Sequence, residues 1–393
     1  MPLSVRATTS CRVCLNQDLV KVLDFGVQPL ANRFLQEPLE EDVFPLDVYL
    51  CEACGHAELG TIVDREGIFS DYIYVSRANP TLSDHFRKYV EDLKRRVPSW
   101  RNAFVVEIGS NDGILLREFG DDERRVLGVD PAKNIPADVP TLREFFTREV
   151  AEHILEERGP ASIIIANNVL AHTEDIRSMV SGMSVLLGEQ GVIAVEAPWL
   201  GDMFEKNAYD TIYHEHLSYF SITALNRLFA EFGLVMVDLE FHPIQGTSFR
   251  AFFQKRSVAS PSVFAREVME KERQSGWTKR QAFLLLAERI QQSKETLLQK
   301  LRDLKSLGKS VMGYGAPAKG NTILNYTGCG AYLDGLIDDM PSKIGKYAPG
   351  SQLKVIPRGP KPDAFVVFAW NYLPHILEKE KDFMGEWIIP NAL

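Results

Sequence analysis

Short apolar runs alternate with amphipathic stretches through the middle of the chain. The runs fall at 104–108, 126–129, 162–166, 192–196 and 233–238, and helical spacing runs through His85 to Leu93 just before them. Runs this short, separated by helix-like segments, predict a parallel sheet covered on both faces. Ligands bind at the carboxyl ends of such strands. Glu107 to Gly113, Asp130, Ala166 to Asn168 and Glu196 to Pro198 therefore share one rim. The plan then repeats. Val258 to Gln274 and Arg280 to Leu304 carry helical spacing, as in Leu284, Leu285, Leu286, Ile290 and Leu297. After them come an apolar run from Ser310, a glycine turn and a helix start at Thr322. Leu333 to Asp339 is an apolar run ending in acids, and Asp363 to Asn371 is a buried strand with a polar exit. The expected fold is α/β, with two nucleotide-binding units, at 81–255 and 256–393, behind a small module at 1–80.

Composition narrows the class. A chain of 393 residues has room for two or three domains. Apolar content of 45% and charged content of 25% are those of ordinary folded domains. The net charge of −9 argues against a general nucleic-acid binder. No apolar run is long enough to span a bilayer, and Met1 to Arg6 lacks the apolar core of a signal peptide. A cytoplasmic protein with neither a membrane nor a nucleic-acid partner is expected.

Four of the five cysteines form two C-x-x-C units, Cys11/Cys14 and Cys51/Cys54. Four thiolates are the tetrahedral set that structural zinc prefers, and such a closed site leaves no position for chemistry. The long gap between the units implies a small subdomain, with loops at Gly26 to Pro29 and at Glu37 to Asp42. His56 would be a ligand only if one cysteine were not. Farther on, Tyr72 and Tyr74 point the same way if their segment is extended. Packing accounts for such residues, and a pocket lid is the functional alternative.

The first rim turn is Glu107-Ile108-Gly109-Ser110-Asn111-Asp112-Gly113, followed about twenty residues later by Asp130. Glycines let a ligand approach the backbone, and an acid at the next strand end accepts hydrogen bonds from ribose hydroxyls. Three residues separate Gly109 from Gly113, so the turn is not the G-x-G-x-x-G of a dehydrogenase. It resembles motif I of class I methyltransferases. The stretch Tyr213-His214-Glu215-His216 holds three titratable groups in sequence beside tyrosines. Either His214 and His216 bind a metal together, or one is a base and the other structural. The second reading is preferred because no third ligand is evident, and a carboxylate neighbour can orient a histidine base. His172 falls at the donor rim. In the second unit, Gly313 to Asn321 is again a glycine turn. Backbone N–H groups and Lys319 there favour phosphate.

Taken in order, the two C-x-x-C units, the turn at 107–113, Tyr213 to His216 and the turn at 313–321 resemble the zinc-containing sugar C-methyltransferases of deoxysugar biosynthesis. The resemblance covers essentially the whole chain. It implies a zinc module, a class I S-adenosylmethionine domain and a second Rossmann-like domain. It also implies methylation at C-3 or C-5 of an NDP-4-keto-6-deoxy sugar, dTDP- or GDP-linked. His216 would be the base with Tyr213 and Glu215 beside it, and Tyr74 and His172 would line the sugar site. Glu107, Gly109, Asn111, Gly113, Asp130 and Asn167 would hold S-adenosylmethionine, and Gly315, Lys319 and Asn321 would face the substrate pyrophosphate. The alternatives are an O- or N-methyltransferase on a nucleotide sugar, or a non-catalytic binder of one.

Overall fold

A computed structural model describes residues 3–69, 80–120, 122, 125–243, 246–359 and 361–391. The amino-terminal module holds β1 (Val5–Ala7), β2 (Leu19–Gln28), β3 (Phe44–Cys51), β4 (His56–Leu59) and β5 (Thr61–Val63). Strands β2, β3 and β4 form an antiparallel meander. Gly26 to Gln28, expected in a loop, belong to β2. The pairing register shifts between Asp24 and Val27, and Gly26 takes φ +71°, so the glycine marks a bulge inside the strand. Glu37 to Asp42 is irregular, as expected.

The middle unit holds β6 (Val105–Ile108), β7 (Val126–Val129), β8 (Thr141–Leu142), β9 (Ala161–Asn167) and β10 (Leu187–Pro198). After β11 (Ser218–Tyr219) come β12 (Leu234–His242) and β13 (Ser248–Lys255). The sheet runs β12-β13-β10-β9-β6-β7-β8, with β13 antiparallel to both neighbours and β6 to β10 parallel. Each apolar run read from the sequence lies within or overlaps a strand. Strand β13 escaped that reading because Arg250 interrupts its apolar pattern. The guanidinium is buried because Glu196 on β10 accepts from it at 2.6 Å and the Tyr89 ring lies 3.4 Å beneath it. Helices start where polar side chains satisfy their free N–H groups. Thr147, Asp175, Ser221 and Ser262 cap Arg148–Arg158, Ile176–Leu186, Ile222–Glu231 and Val263–Gln274.

The last unit holds β14 (Val311–Tyr314), β15 (Leu336–Ile337), β16 (Val355–Ile356), β17 (Ala364–Val367) and β18 (Glu386–Ile388). They form an all-parallel sheet ordered β16-β15-β14-β17-β18. Its long leading helix, Arg280–Ser306, buries Phe283, Leu286, Ile290, Leu297 and Leu301 along one stripe. The helix after the glycine turn begins at Ala318, four residues before the expected Thr322. Pro317 at its N-cap explains the earlier start, because a fixed φ of −75° leads into a helix and its missing N–H has nothing to lose.

The three units interlock. Strand β11, which follows His216 by one residue, leaves the middle sheet and pairs with β4 of the amino-terminal module, Ser218 opposite Glu58 and Tyr219 opposite Ala57. One core joins Leu46 and Leu50 of β3 to Tyr209, Ile212, Phe283 and Ile323. Among the described residues, no helix is long and apolar enough to cross a membrane.

Candidate active site and metal centre

One cavity of about 770 Å³ opens where the three units meet. Its first wall is the carboxyl edge of the middle sheet, at the point where the strand order reverses between β6 and β9. Glu107, Gly109, Asn111, Asp130 and Asn167 line it. Asp130 organises the turn: Oδ2 accepts from the Asn111 N–H at 2.7 Å and Oδ1 from the Ala132 N–H at 2.9 Å. Gly109 has φ +70°, and a Cβ there would sit 3.1 Å from Val169. Gly113 does not line the cavity. It has φ +78°, and a Cβ would meet Val139 at 2.6 Å, so this glycine lets the turn pack. Neither side-chain polar atom of Asn167 has a partner, nor does Glu107 Oε2. Burial pushes the Glu107 carboxyl well above its usual range, and the charges of Asp130 and Asp112 add to that. Unpaired buried polar atoms call for a ligand. A donor with a sulfonium and an ammonium group, an amino acid and a ribose fits a wall that offers carboxylates, an amide and a bare backbone turn.

The second wall is the segment Tyr209 to His216. His216 Nδ1 lies 2.8 Å from the Thr211 carbonyl, which can only accept. Nδ1 therefore carries the proton and Nε2 keeps its lone pair, where the Tyr213 hydroxyl donates at 2.8 Å. The His172 ring packs edge-on against His216, with centroids 4.7 Å apart. Burial pushes His216 well below the usual histidine range, helped by His172 and Lys319. Burial, with the Arg65 charge behind it, pushes His172 down to about 3. Both rings are thus neutral near pH 7. Glu215 does not orient His216; it accepts from Asn32 Nδ2 at 2.7 Å and so ties the segment to the amino-terminal module. His214 is held away from the cavity, 3.2 Å from the Phe44 carbonyl and edge-on to the Phe44 ring. Tyr72 and Tyr74 lie outside the described residues.

The third wall comes from the last unit. Gly315, Lys319, Asp338 and Lys343 line it. Asp338 accepts from the Ala316 N–H at 2.7 Å and the Met340 N–H at 2.8 Å, and Lys343 Nζ donates to the Ala316 carbonyl at 2.8 Å. Burial lowers the pKa of half-buried Lys319 against the pull of Asp210 and Asp202. Asn321, expected at the substrate pyrophosphate, is fully buried and does not reach the cavity. Its side chain donates to the Ala31 carbonyl at 2.6 Å and joins the outer units to each other. Sequence reasoning missed Thr211, Asn32, Arg65 and Lys343. Asn32 acts through a contact between distant segments, Thr211 acts through its backbone carbonyl, which no side-chain pattern marks, and neither cation stands in a motif.

The metal centre lies apart from this cavity. The sulfur atoms of Cys11, Cys14, Cys51 and Cys54 lie within 4.8 Å of one another, with Cys11 and Cys54 3.5 Å apart and Cys14 and Cys51 3.6 Å apart. Four thiolates about 2.3 Å from one zinc ion would be spaced by about this much. Both C-x-x-C units are tight turns whose next residue is left-handed, Leu15 at φ +62° and Gly55 at φ +75°. His56 is no ligand; its Nε2 lies 3.2 Å from Ser218 Oγ.

Comparison with known proteins agrees with this geometry. A family model of the C-methyltransferase C-terminal domain matches residues 243–391, a methyltransferase domain matches 82–239 and a zinc binding domain matches 11–69. C-methyltransferase NovU of Streptomyces niveus is 34% identical over 405 aligned residues, 98% of this chain and 96% of its own. Among solved structures, a SAM-dependent methyltransferase from Anabaena variabilis aligns over 43% of this chain and 84% of its own, at 17% identity and a TM-score of 0.34. Magnesium protoporphyrin IX methyltransferase from Synechocystis aligns over 45% and 87%, at 13% identity and a TM-score of 0.33. The match to NovU runs through all three units. On that match, the chain belongs to the S-adenosylmethionine-dependent C-methyltransferases that carry an amino-terminal zinc-binding domain.

Proposed function

We propose that the protein methylates the carbon next to the ketone of an NDP-4-keto-6-deoxy sugar, with C-3 favoured and His216 as the base. The observation that carries this reading is the state of His216, a neutral ring with its Nδ1 proton fixed by the Thr211 carbonyl and its Nε2 on the cavity. A proton on a carbon beside a ketone is acidic because the electrons left behind delocalise onto the oxygen. O- or N-methylation would need no enolate. When bound, S-adenosylmethionine supplies an electrophilic methyl group.

The chain does the rest. Glu107, Gly109, Asn111, Asp130 and Asn167 hold the donor, with Asp130 on its ribose hydroxyls and Gly109 to Asn111 under its amino-acid portion. Gly113 supports them from behind. Gly315 and Lys319 face the substrate pyrophosphate, at the start of the Ala318–Thr327 helix, where free N–H groups favour anions. In the free enzyme the Tyr213 hydroxyl occupies Nε2 of His216. Substrate entry redirects that hydroxyl to the ketone oxygen, which frees Nε2 to take the ring proton and gives the developing enolate a donor. Tyr74 and His172 complete the sugar site, and Glu215 holds the segment from behind. Four thiols kept reduced for a metal fit a cytoplasmic setting.

The test is a panel of dTDP- and GDP-4-keto-6-deoxy sugars incubated with S-adenosylmethionine. One added methyl, located by NMR on a ring carbon beside the ketone, is expected for at least one member. A methyl on oxygen or nitrogen, or transfer to none of them, contradicts the reading.

A further inference from the structure

Arg65 has no role in the scheme above, yet it faces the same cavity from the zinc-binding unit. Its guanidinium lies 4.9 Å from the centroid of the Phe69 ring. That ring meets His172 edge-on at 5.7 Å, and His172 meets His216 at 4.7 Å. A chain of ring contacts thus leads from Arg65 to the base. Among the described residues, Arg65 makes no ion pair and no hydrogen bond of its side chain. The acids whose charges reach it are engaged elsewhere. Glu174 pairs with Arg6 at 2.8 Å, and Glu215 accepts from Asn32. Burial lowers the Arg65 pKa to about 10, and the charges of Glu174 and Glu215 offset this only in part, so the site holds a cation with no acid in direct contact. An unpaired charge withdrawn from water is costly and persists where a ligand of opposite sign completes it.

We infer that Arg65 is a substrate-binding residue that takes the diphosphate of the acceptor nucleotide, across the cavity from Lys319. The inference rests on the nucleotide-sugar reading above. The anion it selects follows from the cavity's other ligand. S-adenosylmethionine brings two cationic groups and one carboxylate to a wall of acids, whereas a nucleoside diphosphate brings multiple negative charges. A guanidinium also suits phosphate, because its planar fork of donors matches two oxygens at once. In a nucleotide sugar the diphosphate hangs on C-1, two carbons from C-3.

The experiment measures binding of dTDP and of GDP by calorimetry to the zinc-loaded full-length protein, its Arg65→Gln variant and its Arg65→Lys variant. S-adenosylhomocysteine serves as the control ligand. Arg65→Gln is expected to weaken the better-bound nucleotide roughly ten- to hundred-fold, the loss of hydrogen bonds to a charged group. Arg65→Lys should recover part of that loss. Affinity for S-adenosylhomocysteine should not change, and the thermal midpoint should stay or rise, because the variant removes a buried charge with no direct partner. Equal nucleotide affinity in wild type and Arg65→Gln overturns the inference, and so does a loss confined to S-adenosylhomocysteine or a fall in the thermal midpoint. If the wild type binds neither nucleotide, the nucleotide-sugar reading fails, and the role of Arg65 with it.

Discussion

The middle and carboxyl-terminal units build the same turn and put different chemistry around it. In each, the glycine N–H bonds to the end of the neighbouring strand at 2.8 Å, Gly109 to Val129 and Gly315 to Ile337. In each, an aspartate just past that strand accepts two backbone N–H groups, Asp130 at 2.7 and 2.9 Å and Asp338 at 2.7 and 2.8 Å. Each glycine has a positive φ and faces a residue two places past the strand on its other side, Val169 or Ala369. The surroundings then diverge. Glu107 and Asn167 flank the first turn with unpaired acceptor and amide atoms, and Lys319 and Lys343 flank the second. The frame supplies a bare backbone edge, and the side chains around it set the sign of what can bind. The proposed division, donor at the first turn and anionic acceptor at the second, follows from that difference.

The largest effect is expected between the turns. His216→Asn should cut turnover by about 10²- to 10⁴-fold while S-adenosylhomocysteine binding stays intact. A loss confined to binding would move His216 out of the chemistry. Removing zinc with a chelator should also abolish turnover, because β11, next to His216, pairs with β4 beside the Cys51/Cys54 turn. Circular dichroism and activity, read together before and after zinc is restored, would check this; full activity in the zinc-free protein contradicts it.

Alanine at each turn gives a sharper comparison. A Cβ at Gly109 or Gly315 is strained by the positive φ, and it would approach Val169 at 3.1 Å or Ala369 at 2.9 Å. Strain of roughly 1–3 kcal/mol at such a position should weaken binding about five- to hundred-fold. Gly109→Ala should show this for S-adenosylhomocysteine, and Gly315→Ala for the nucleoside diphosphate. Calorimetry with both ligands on both variants tests whether the losses stay separate. The smallest effect is expected at Asn321. Asn321→Ala should cost about 1–3 kcal/mol of stability through the unpaired Ala31 carbonyl, with little change in KM for the sugar nucleotide. A large rise in KM would return Asn321 to the substrate site.

The pH behaviour follows from two depressed histidines. Their folded pKa values lie below the unfolded value of about 6.5. The unfolded chain therefore takes up protons below that pH while the native rings do not, and stability falls as pH drops from about 6.5 toward 3. Above 6.5 the term is flat. The acid limb of kcat/KM set by His216 should likewise lie below pH 6.5. A limb at or above 7 would show that His216 is not depressed.

The parts of this molecule legible in sequence are those set by local pattern. Apolar runs located strands β6, β7, β9, β10 and β12, and paired C-x-x-C spacing located the thiol cluster. The turn at Glu107 to Gly113 was readable because positive φ and close approach demand glycine at fixed places. What escaped depends on partners that no local spacing rule links. Strand β13 was hidden by Arg250, a charge that is acceptable inside because Glu196 and the Tyr89 ring face it. Asn321 sits in a motif, yet its side chain answers to Ala31, 290 residues away. The tautomer of His216 is fixed by a carbonyl five residues earlier, and sequence favoured the adjacent Glu215 for that work. Arg65 carries no motif at all, and only the structure reveals that its side chain has no ion pair or hydrogen bond among the described residues.

The most direct test of the account is solvent exchange at the acceptor's ring carbon. An accepted 4-keto sugar nucleotide would be incubated in deuterated water with the enzyme and S-adenosylhomocysteine, and followed by NMR. The account predicts deuterium at the carbon that is methylated in the full reaction, and exchange at least about a hundredfold slower with His216→Asn. Exchange by His216→Asn at the wild-type rate would contradict it.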